Sequence, residues 1–181
     1  MKERRRQKQL RTKNRILQAA RELAQENGFE NVSLRAIARR VDYSPASLYE
    51  YYASKDAIID ALCEQTEVQL ADFMRTNASE DLVLLSLRYI QFAKENPDWF
   101  QLVYRRPMLP DQKESVPTVF RAQAQQDIAD GTLRNCDADD VSYAFWAVAH
   151  GMALLALNRE LHDDNDAYQQ RILQRLLSSF Q

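Results

Sequence analysis

The chain has 181 residues, 45% hydrophobic and 28% charged, which is the composition of an ordinary folded globular protein. Its 3 glycines and 5 prolines are too few for a sheet of many strands, so we expect an all-α fold of long helices joined by short loops. Cys63 and Cys136 lie far apart, without histidines at ligand spacing, which excludes a disulfide framework and a zinc site and predicts no metal or cofactor. The basic N-terminus is not followed by the apolar segment of a signal peptide, so we expect a cytoplasmic protein.

Charge is distributed unevenly along the chain. Residues 1–55 hold 13 Lys and Arg against 6 Asp and Glu, a net charge of +7, whereas residues 56–181 hold 11 against 20, a net charge of −9. A basic front end of this kind is typical of a module that binds the phosphates of a nucleic acid. The alternative is that the basic arm, residues 1–11, is only a solvated tail.

The first predicted helix runs from about Thr12 to Asn27. Its apolar residues have the spacing of an amphipathic helix: Ile16, Ala19, Ala20, Leu23 and Ala24. Gly28 follows directly and is suited to the left-handed conformation that ends a helix.

Three further helix starts follow within residues 33–56. Ser33 and Ser44 are suited to cap a second and a third helix, and Pro45 suits the first position of the third. A fourth helix is expected from Ser54, with Asp56 in its first turn.

Only Asp42 and Tyr43 separate the second and third helices, so the chain must turn sharply there and form a helix-turn-helix. The third helix, about residues 45–51, is expected to bury Leu48 and to expose small and hydroxyl-bearing residues. Small residues allow close approach to base edges, and hydroxyls or a lysine can bind phosphates. The alternative is that the tyrosines near this helix only pack in the core.

Residues 16–62, "ILQAARELAQENGFENVSLRAIARRVDYSPASLYEYYASKDAIIDAL", resemble the DNA-binding domain of the TetR family of bacterial transcriptional regulators. The resemblance rests on Gly28 and Phe29, the Ser33 cap, "IARR", "SPASLYEYY" and "SK". It implies a helix-turn-helix domain, residues 1–54, and a helical ligand-binding and dimerisation domain, residues 55–181. It also implies a homodimer on a palindromic DNA operator, usually a repressor, controlled by a small molecule.

The resemblance also implies roles for individual residues of the helix-turn-helix. Family positions that bind phosphates are matched by Ser33, Ser44, Tyr51 and Lys55. Family positions that read bases are matched by Ala46, Ser47 and Tyr49, and Arg35 could contact either. Pro45, at the start of the recognition helix, is also placed in the DNA-binding surface. The chain departs from the family at Asp42, where glycine is usual, but Asp tolerates the left-handed conformation and we expect the turn to form.

The rest of the chain is predicted to be helical. The predicted helices cover about residues 79–95, 98–104, 117–129, 138–158 and 166–180. The loop "RRPMLPDQKESVP" holds three of the five prolines and is a break between helices.

The segment "VSYAFWAVAHGMALLAL", residues 141–157, contains no Asp, Glu, Lys or Arg. A membrane span is the alternative to a buried helix, but the run is short and contains Ser142, His150 and Gly151. A helix apolar on every side needs a cover on both faces, and a second subunit would provide one. We therefore expect a homodimer through the last two helices.

Aromatic residues on the C-terminal helices are the candidates for an effector site. A mostly apolar ligand would suit a pocket lined by Phe92, Trp99, Phe100, Tyr104, Phe120, Tyr143, Trp146 and His150. The alternative is that these residues fill the core, with His150 as a hydrogen-bonded core histidine. "WAVAHG" also resembles the Trp-His-Gly signature of one subgroup of TetR C-terminal domains.

The sequence contains no Gly-rich phosphate loop, no HExxH and no nucleophile elbow, which argues against an enzyme. Two functions remain: a ligand-responsive DNA-binding regulator, and a helical protein-interaction module whose helix-turn-helix no longer reads DNA.

Overall fold

The computed structural model describes residues 2–75, 81–104, 115–158 and 166–181. Within these ranges the chain forms nine α-helices and one short 3-10 helix and no strand, which confirms the all-α fold. It divides into two compact units, Met1–Gln65 and Thr66–Gln181, here called the N-terminal unit and the C-terminal unit. The division falls inside the fourth helix, whereas the sequence placed a domain boundary at the start of that helix.

The N-terminal unit contains α1 (Lys2–Asn27), a 3-10 helix (Phe29–Asn31), α2 (Leu34–Arg40), α3 (Pro45–Leu48) and the start of α4 (Lys55–Arg75). Gly28 ends α1 with φ 80°, as predicted. The predicted start of α1 at Thr12 is wrong, because the helix continues back through the basic arm to Lys2. The arm lacks the apolar stripe from which the sequence analysis placed the helix.

The turn between α2 and α3 forms with aspartate in place of glycine. Asp42 has φ 60°, and the next N–H, that of Tyr43, donates to the carbonyl of Ala38 at 2.9 Å. The expectation that Asp42 would adopt the left-handed conformation is therefore confirmed.

Helix α3 is shorter than predicted. The N–H groups of Tyr51 and Tyr52 both donate to the carbonyl of Leu48 at 2.9 Å, so the chain closes into a turn after Leu48 instead of continuing to residue 51 as a helix. Leu48 has no exposed surface and fixes α3 to the core of the N-terminal unit.

The C-terminal unit contains the rest of α4 and five further helices: α5 (Leu82–Glu95), α6 (Pro97–Tyr104), α7 (Val116–Ala129), α8 (Ala138–Leu157) and α9 (Asp166–Ser178). All five were predicted to within a few residues. The part of the proline-rich loop before Ser115 lies outside the described residues. Helix α8 packs against α5 and α7, and α9 packs mainly against α5.

Helix α8 is buried on one face only in this single chain. Val141, Phe145 and Ala149 lie in the core, whereas Tyr143 is 68% exposed and Leu155 is 39% exposed. One chain therefore covers one face of α8, and the expectation that a second subunit covers the other face stays a prediction. By length and hydropathy α8 could cross a membrane, and 22% of its most apolar 18-residue stretch is buried. Its buried stripe shows that one face serves the core of the C-terminal unit.

Candidate nucleic-acid interface and effector site

Two serines fix the starts of α2 and α3. The Ser33 hydroxyl oxygen accepts from the N–H of Ala36 at 3.2 Å, and that of Ser44 accepts from the N–H of Ser47 at 3.1 Å. The Ser44 and Ser47 hydroxyl oxygens are 2.8 Å apart, so one donates to the other. Because a serine hydroxyl both donates and accepts, the Ser33 O–H and one O–H of the Ser44–Ser47 pair remain able to donate to a phosphate oxygen.

Helix α3 exposes the residues that the resemblance assigns to base contacts. Pro45 and Ala46 are exposed, Ser47 is partly exposed, and Tyr49 just after the helix is 58% exposed. Leu48 lies on the opposite, fully buried side. A four-residue helix with one buried anchor thus presents a surface of small side chains and one aromatic ring.

The predicted phosphate-binding residues beyond α3 have contacts within the N-terminal unit. Tyr51 is half-buried and packs edge-on against Tyr43, with ring centroids 6.2 Å apart. Lys55 points its Nζ toward the carbonyl oxygen of Glu30, 3.5 Å away, a long contact that a phosphate could replace. Arg35 is exposed.

Arg40 is engaged within the domain. Its guanidinium lies 2.6 Å from a carboxylate oxygen of Glu26 and 3.2 Å from one of Glu22. The hydrogen bond between Arg40 and Glu26 lowers the pKa of the Glu26 carboxyl and raises the pKa of Arg40. This pairing ties α2 to α1 and removes one cation from the set available for DNA.

Sequence analysis missed two contacts of α1 with the helix-turn-helix. The Nζ of Lys13 lies over the Tyr52 ring, 5.3 Å from its centroid, and the guanidinium of Arg15 donates to the Val41 carbonyl at 3.3 Å. Nothing in the sequence pattern distinguishes these two cations from their neighbours, because the contacts depend on how α1 packs.

An aromatic cluster lies in the core of the C-terminal unit, with Tyr89 of α5 at its centre. The ring centroid of Tyr89 lies 5.3 Å from that of Phe100, 6.3 Å from Tyr104, 6.4 Å from Phe120 and 6.2 Å from His150. Residues of three other helices, α6, α7 and α8, thus meet at one residue of α5 that the sequence analysis did not select. Tyr89 lies on the buried stripe of α5, so its helical spacing was the available signal.

The cluster contains polar atoms as well as rings. The Tyr89 hydroxyl is 2.7 Å from Nδ1 of His150. The Tyr104 hydroxyl and the Trp146 indole N–H are buried close to the Tyr89 hydroxyl and affect its pKa, although neither makes a well-aligned hydrogen bond within the described residues. Burial raises the pKa of both tyrosines, an effect to which the Glu67 carboxylate adds, and burial lowers the pKa of His150. All three groups are therefore uncharged near pH 7, and with Tyr89 as donor the imidazole N–H is on Nε2.

Three of the predicted ligand residues, Phe92, Trp99 and Tyr143, lie outside this cluster. Phe92 packs against Phe73, with centroids 5.7 Å apart, and Trp99 is 6% exposed on α6. Tyr143 lies on the exposed face of α8, with its ring centroid 6.1 Å from that of Trp146. Tyr143 and Trp146 line a surface pocket of about 300 Å³. At its rim, Nε of Arg121 lies 2.7 Å from a carboxylate oxygen of Asp139.

Comparison with known families bears on both units. Residues 16–62 match the model of the bacterial regulatory proteins of the tetR family, and residues 82–180 match the model of the tetracyclin repressor-like C-terminal domain. The chain belongs to the TetR family. The second family is not described as a Trp-His-Gly subgroup, so membership of that subgroup stays a prediction.

Individual relatives agree with this assignment. The HTH-type transcriptional regulator UidR of Escherichia coli K12 is 45% identical over 56 residues, which are 31% of this chain and 29% of UidR. The regulator YobS of Bacillus subtilis is 34% identical over 95 residues, half of each chain. A Rhodococcus sp. RHA1 protein of unknown function has the same fold, with a TM-score of 0.77 at 19% identity over 93% of this chain and 94% of its own. The chain thus aligns with less than a third of UidR and half of YobS.

This chain therefore belongs to a family of transcriptional regulators and carries the helix-turn-helix domain of that family, and no enzyme family is indicated. Regulators of this family bind DNA operators and small molecules and form dimers. Within the described residues no group of three or more His, Cys, Asp or Glu is placed to hold a metal ion.

Proposed function

We propose that this protein is a cytoplasmic, homodimeric repressor that binds a palindromic operator and is controlled by a small molecule. The observation that carries the proposal is the surface of α3, where Ala46 and Tyr49 are exposed while Leu48 anchors the helix in the core. A short capped helix with this surface fits into a major groove.

The contacts of each residue support a division of roles. Ala46, Ser47 and Tyr49 face bases, with the ring of Tyr49 suited to a thymine methyl. Ser33, Ser44, Tyr51 and Lys55 bind phosphates on the two sides of the groove, and the exposed Arg35 adds a further contact. Arg40 is assigned a structural role because Glu22 and Glu26 already pair with it.

The exposed face of α8 supports a dimer through α8 and α9. Tyr143, Ala147, Leu154 and Leu155 are exposed, and a Cβ added at Gly151 would meet no atom within 4 Å in this chain. These residues recur at helical spacing, so a second copy could cover one continuous stripe. Tyr168, 44% exposed on α9, extends the apolar surface available for dimerisation.

The aromatic cluster supports an effector that is planar, mostly apolar and uncharged. Rings of Tyr89, Phe100 and Phe120 offer apolar contact, while the Tyr104 hydroxyl and Trp146 N–H offer donors to an oxygen of the ligand. The Glu67 carboxylate lies close enough to the cluster to raise the pKa of Tyr104, and a negative charge there disfavours an anionic ligand. Uncharged phenols and ketones have this chemistry.

The first experiment is selection of random duplex DNA on the purified full-length protein near physiological salt, followed by sequencing. An enriched palindrome is expected. Tyr49→Ala should then lower affinity and relax specificity, whereas Tyr49→Phe, which keeps the ring, should retain the preference at a thymine. Lys55→Ala should weaken binding to all DNA sequences almost equally. It should also lower the slope of log affinity against log salt by the contribution of about one phosphate contact. Unchanged affinity in both alanine variants would refute the assigned roles.

The effector site has a separate test. We expect a panel of small uncharged phenols and ketones to include compounds that raise the melting temperature and release operator DNA, with the carboxylate analogue of each as its matched control. Trp146→Phe, which keeps an aromatic ring but loses the N–H donor, should weaken that response. If only anionic compounds raised the melting temperature and released operator DNA, the proposed class of ligand would be contradicted.

One observation favours the alternative, a helical protein-interaction module. Residues 16–55 hold 5 Lys and Arg against 5 Asp and Glu, so the helix-turn-helix core itself has no net positive charge. A folded dimer that enriches no DNA sequence, with or without cell extract, would support this alternative.

A further inference from the structure

The net positive charge of the N-terminal unit comes from the first part of α1. Residues 2–15 hold 8 Lys and Arg against one acid, Glu3, a net charge of +7 that equals the net charge of residues 1–55. The eight cations are Lys2, Arg4, Arg5, Arg6, Lys8, Arg11, Lys13 and Arg15. Any long-range attraction of this unit to a polyanion therefore comes from this part of the helix.

Residues 2–11, here called the basic segment, are an exposed continuation of α1. Every residue of the segment is exposed, and its six cations form no ion pair within the described part of the chain. Leu10, 52% exposed, is its one apolar side chain. A surface with one apolar residue cannot insert into a membrane as an amphipathic helix does, so the segment is suited to a hydrophilic polyanion.

The basic segment starts where α1 leaves the helix-turn-helix. Thr12 is buried, Lys13 lies over the ring of Tyr52, and Arg15 donates to Val41 at the end of α2. These contacts place the inner end of the segment beside the residues that precede and follow α3. From there its 10 residues extend about 15 Å, a length along which duplex DNA carries several phosphates.

The segment is electrostatically unfavourable as an isolated helix. Cations near a helix N-terminus oppose the macrodipole, and like charges three or four residues apart repel, as Lys2 does with Arg5 and Arg6, and Arg4 with Lys8. Negative charges along the segment would offset both effects. Helix formation in the segment is therefore coupled to the binding of a polyanion.

We infer that the basic segment binds the DNA phosphate backbone next to the bases contacted by α3, and that this binding stabilises its helix. This inference rests on the proposed function and names a second contact surface for the same ligand. The segment supplies affinity that does not depend on sequence, while α3, on a core of zero net charge, supplies the specificity.

The test compares two variants of the full-length protein on operator and on random duplex DNA across a range of salt. In Arg4→Gln/Arg5→Gln/Arg6→Gln/Lys8→Gln, we expect the slope of log affinity against log salt to decrease by about 3 to 4 per subunit, since each phosphate contact contributes about 0.9. The ratio of operator to random affinity should stay within about twofold. The control Arg4→Lys/Arg5→Lys/Arg6→Lys keeps the charge and should keep the wild-type slope.

Hydrogen exchange tests the coupled helix. The amides of residues 2–11 should become protected when operator DNA is added to the wild type at low salt, and should gain less protection in the glutamine variant. A wild-type slope in the glutamine variant would overturn the inference. A loss of specificity in the lysine variant would also overturn it, because it would mean that the arginines read bases.

Other results would give the basic segment a different partner or would refute the proposed function. Binding of the wild type to vesicles containing phosphatidylglycerol, with an unchanged DNA slope in the glutamine variant, would assign the segment to a membrane surface. If the wild type selects no DNA sequence at all, the proposed function fails. If it selects an operator but the variant keeps its slope, only the inference about the basic segment fails.

Discussion

The two units differ in what determines their structure. In the N-terminal unit, several helix ends are set by residues that act on their own neighbours, such as Ser33, Ser44, Gly28 and Asp42. In the C-terminal unit, the centre of the core is Tyr89, whose ring meets residues of three other helices. A DNA-binding surface can thus be specified by local chemistry, whereas a ligand site depends on how distant segments pack.

Their charges differ in the same way that their proposed partners do. The net positive charge lies at the start of α1, whereas residues 66–181, the C-terminal unit, hold 11 Lys and Arg against 17 Asp and Glu, a net charge of −6. An acidic C-terminal unit repels the phosphates that the basic segment attracts. Under the proposed function, this contrast favours the approach of DNA to the N-terminal unit.

The largest expected effect is in the core of the C-terminal unit. Phe145→Ala should lower the free energy of unfolding by about 3 to 5 kcal/mol, because Phe145 has no exposed surface and its removal leaves a cavity. Denaturant unfolding measures the loss. Tyr143→Ala, two residues away but exposed, is the control and should change the stability of a monomer by less than about 0.5 kcal/mol. A larger loss for Tyr143→Ala that depends on protein concentration would show that a second subunit covers it.

The next effect concerns the turn in the N-terminal unit. Asp42→Ala should lower stability by about 1 to 2 kcal/mol, because alanine is disfavoured at φ 60°, whereas Asp42→Gly should remain within about 0.5 kcal/mol of the wild type. Thermal unfolding of the two variants makes the comparison. Equal stabilities would mean that this turn is not fixed by the local conformation of residue 42.

A smaller effect separates the two roles of Ser44. Ser44→Ala should lower stability by about 1 kcal/mol through loss of the helix cap, while Ser44→Asp should keep the cap and the stability. Both should weaken DNA binding, the aspartate more, because its charge repels phosphate. An aspartate variant with wild-type affinity would show that Ser44 does not face the DNA backbone.

The smallest expected effect is a pH dependence of the C-terminal unit. Burial lowers the pKa of His150, so the unfolded chain gains a proton near pH 6.5 while the folded chain remains neutral at this residue. The associated stability is fully present above about pH 6.5 and is lost as the pH falls toward the pKa of the folded state. His150→Asn, which can accept from Tyr89 but does not titrate, should have a flatter stability profile between pH 5 and about pH 7. Identical profiles would contradict this assignment.

Much of the candidate DNA-binding site could be predicted from the sequence. The two serine caps and the turn at Asp42 act within three or four residues, so their sequence positions define their geometry. The extent of α1 was not predictable in this way, because the apolar periodicity stops at about Thr12 while the helix continues to Lys2. The pairing of Arg40 with Glu26 was also missed, since the two residues are brought together only by the packing of α2 on α1.

The aromatic cluster proposed as the effector site was predicted less completely. Aromatic residues at helical spacing identified Phe100, Tyr104, Phe120 and His150, but the same criterion also selected Phe92 and the exposed Tyr143 and omitted Tyr89. A periodic pattern shows which side of a helix is apolar. It does not show which neighbouring helix that side meets.

The sequence by itself determined the helical class, the helix-turn-helix, its capping residues and the family, because each of these depends on spacing or on interactions between residues close in the chain. Only the tertiary structure decided that α8 buries one face, that Arg40 is already paired, and that Tyr89 meets Tyr104 and His150. Those facts depend on contacts between residues far apart in sequence, whose geometry is fixed when the helices pack.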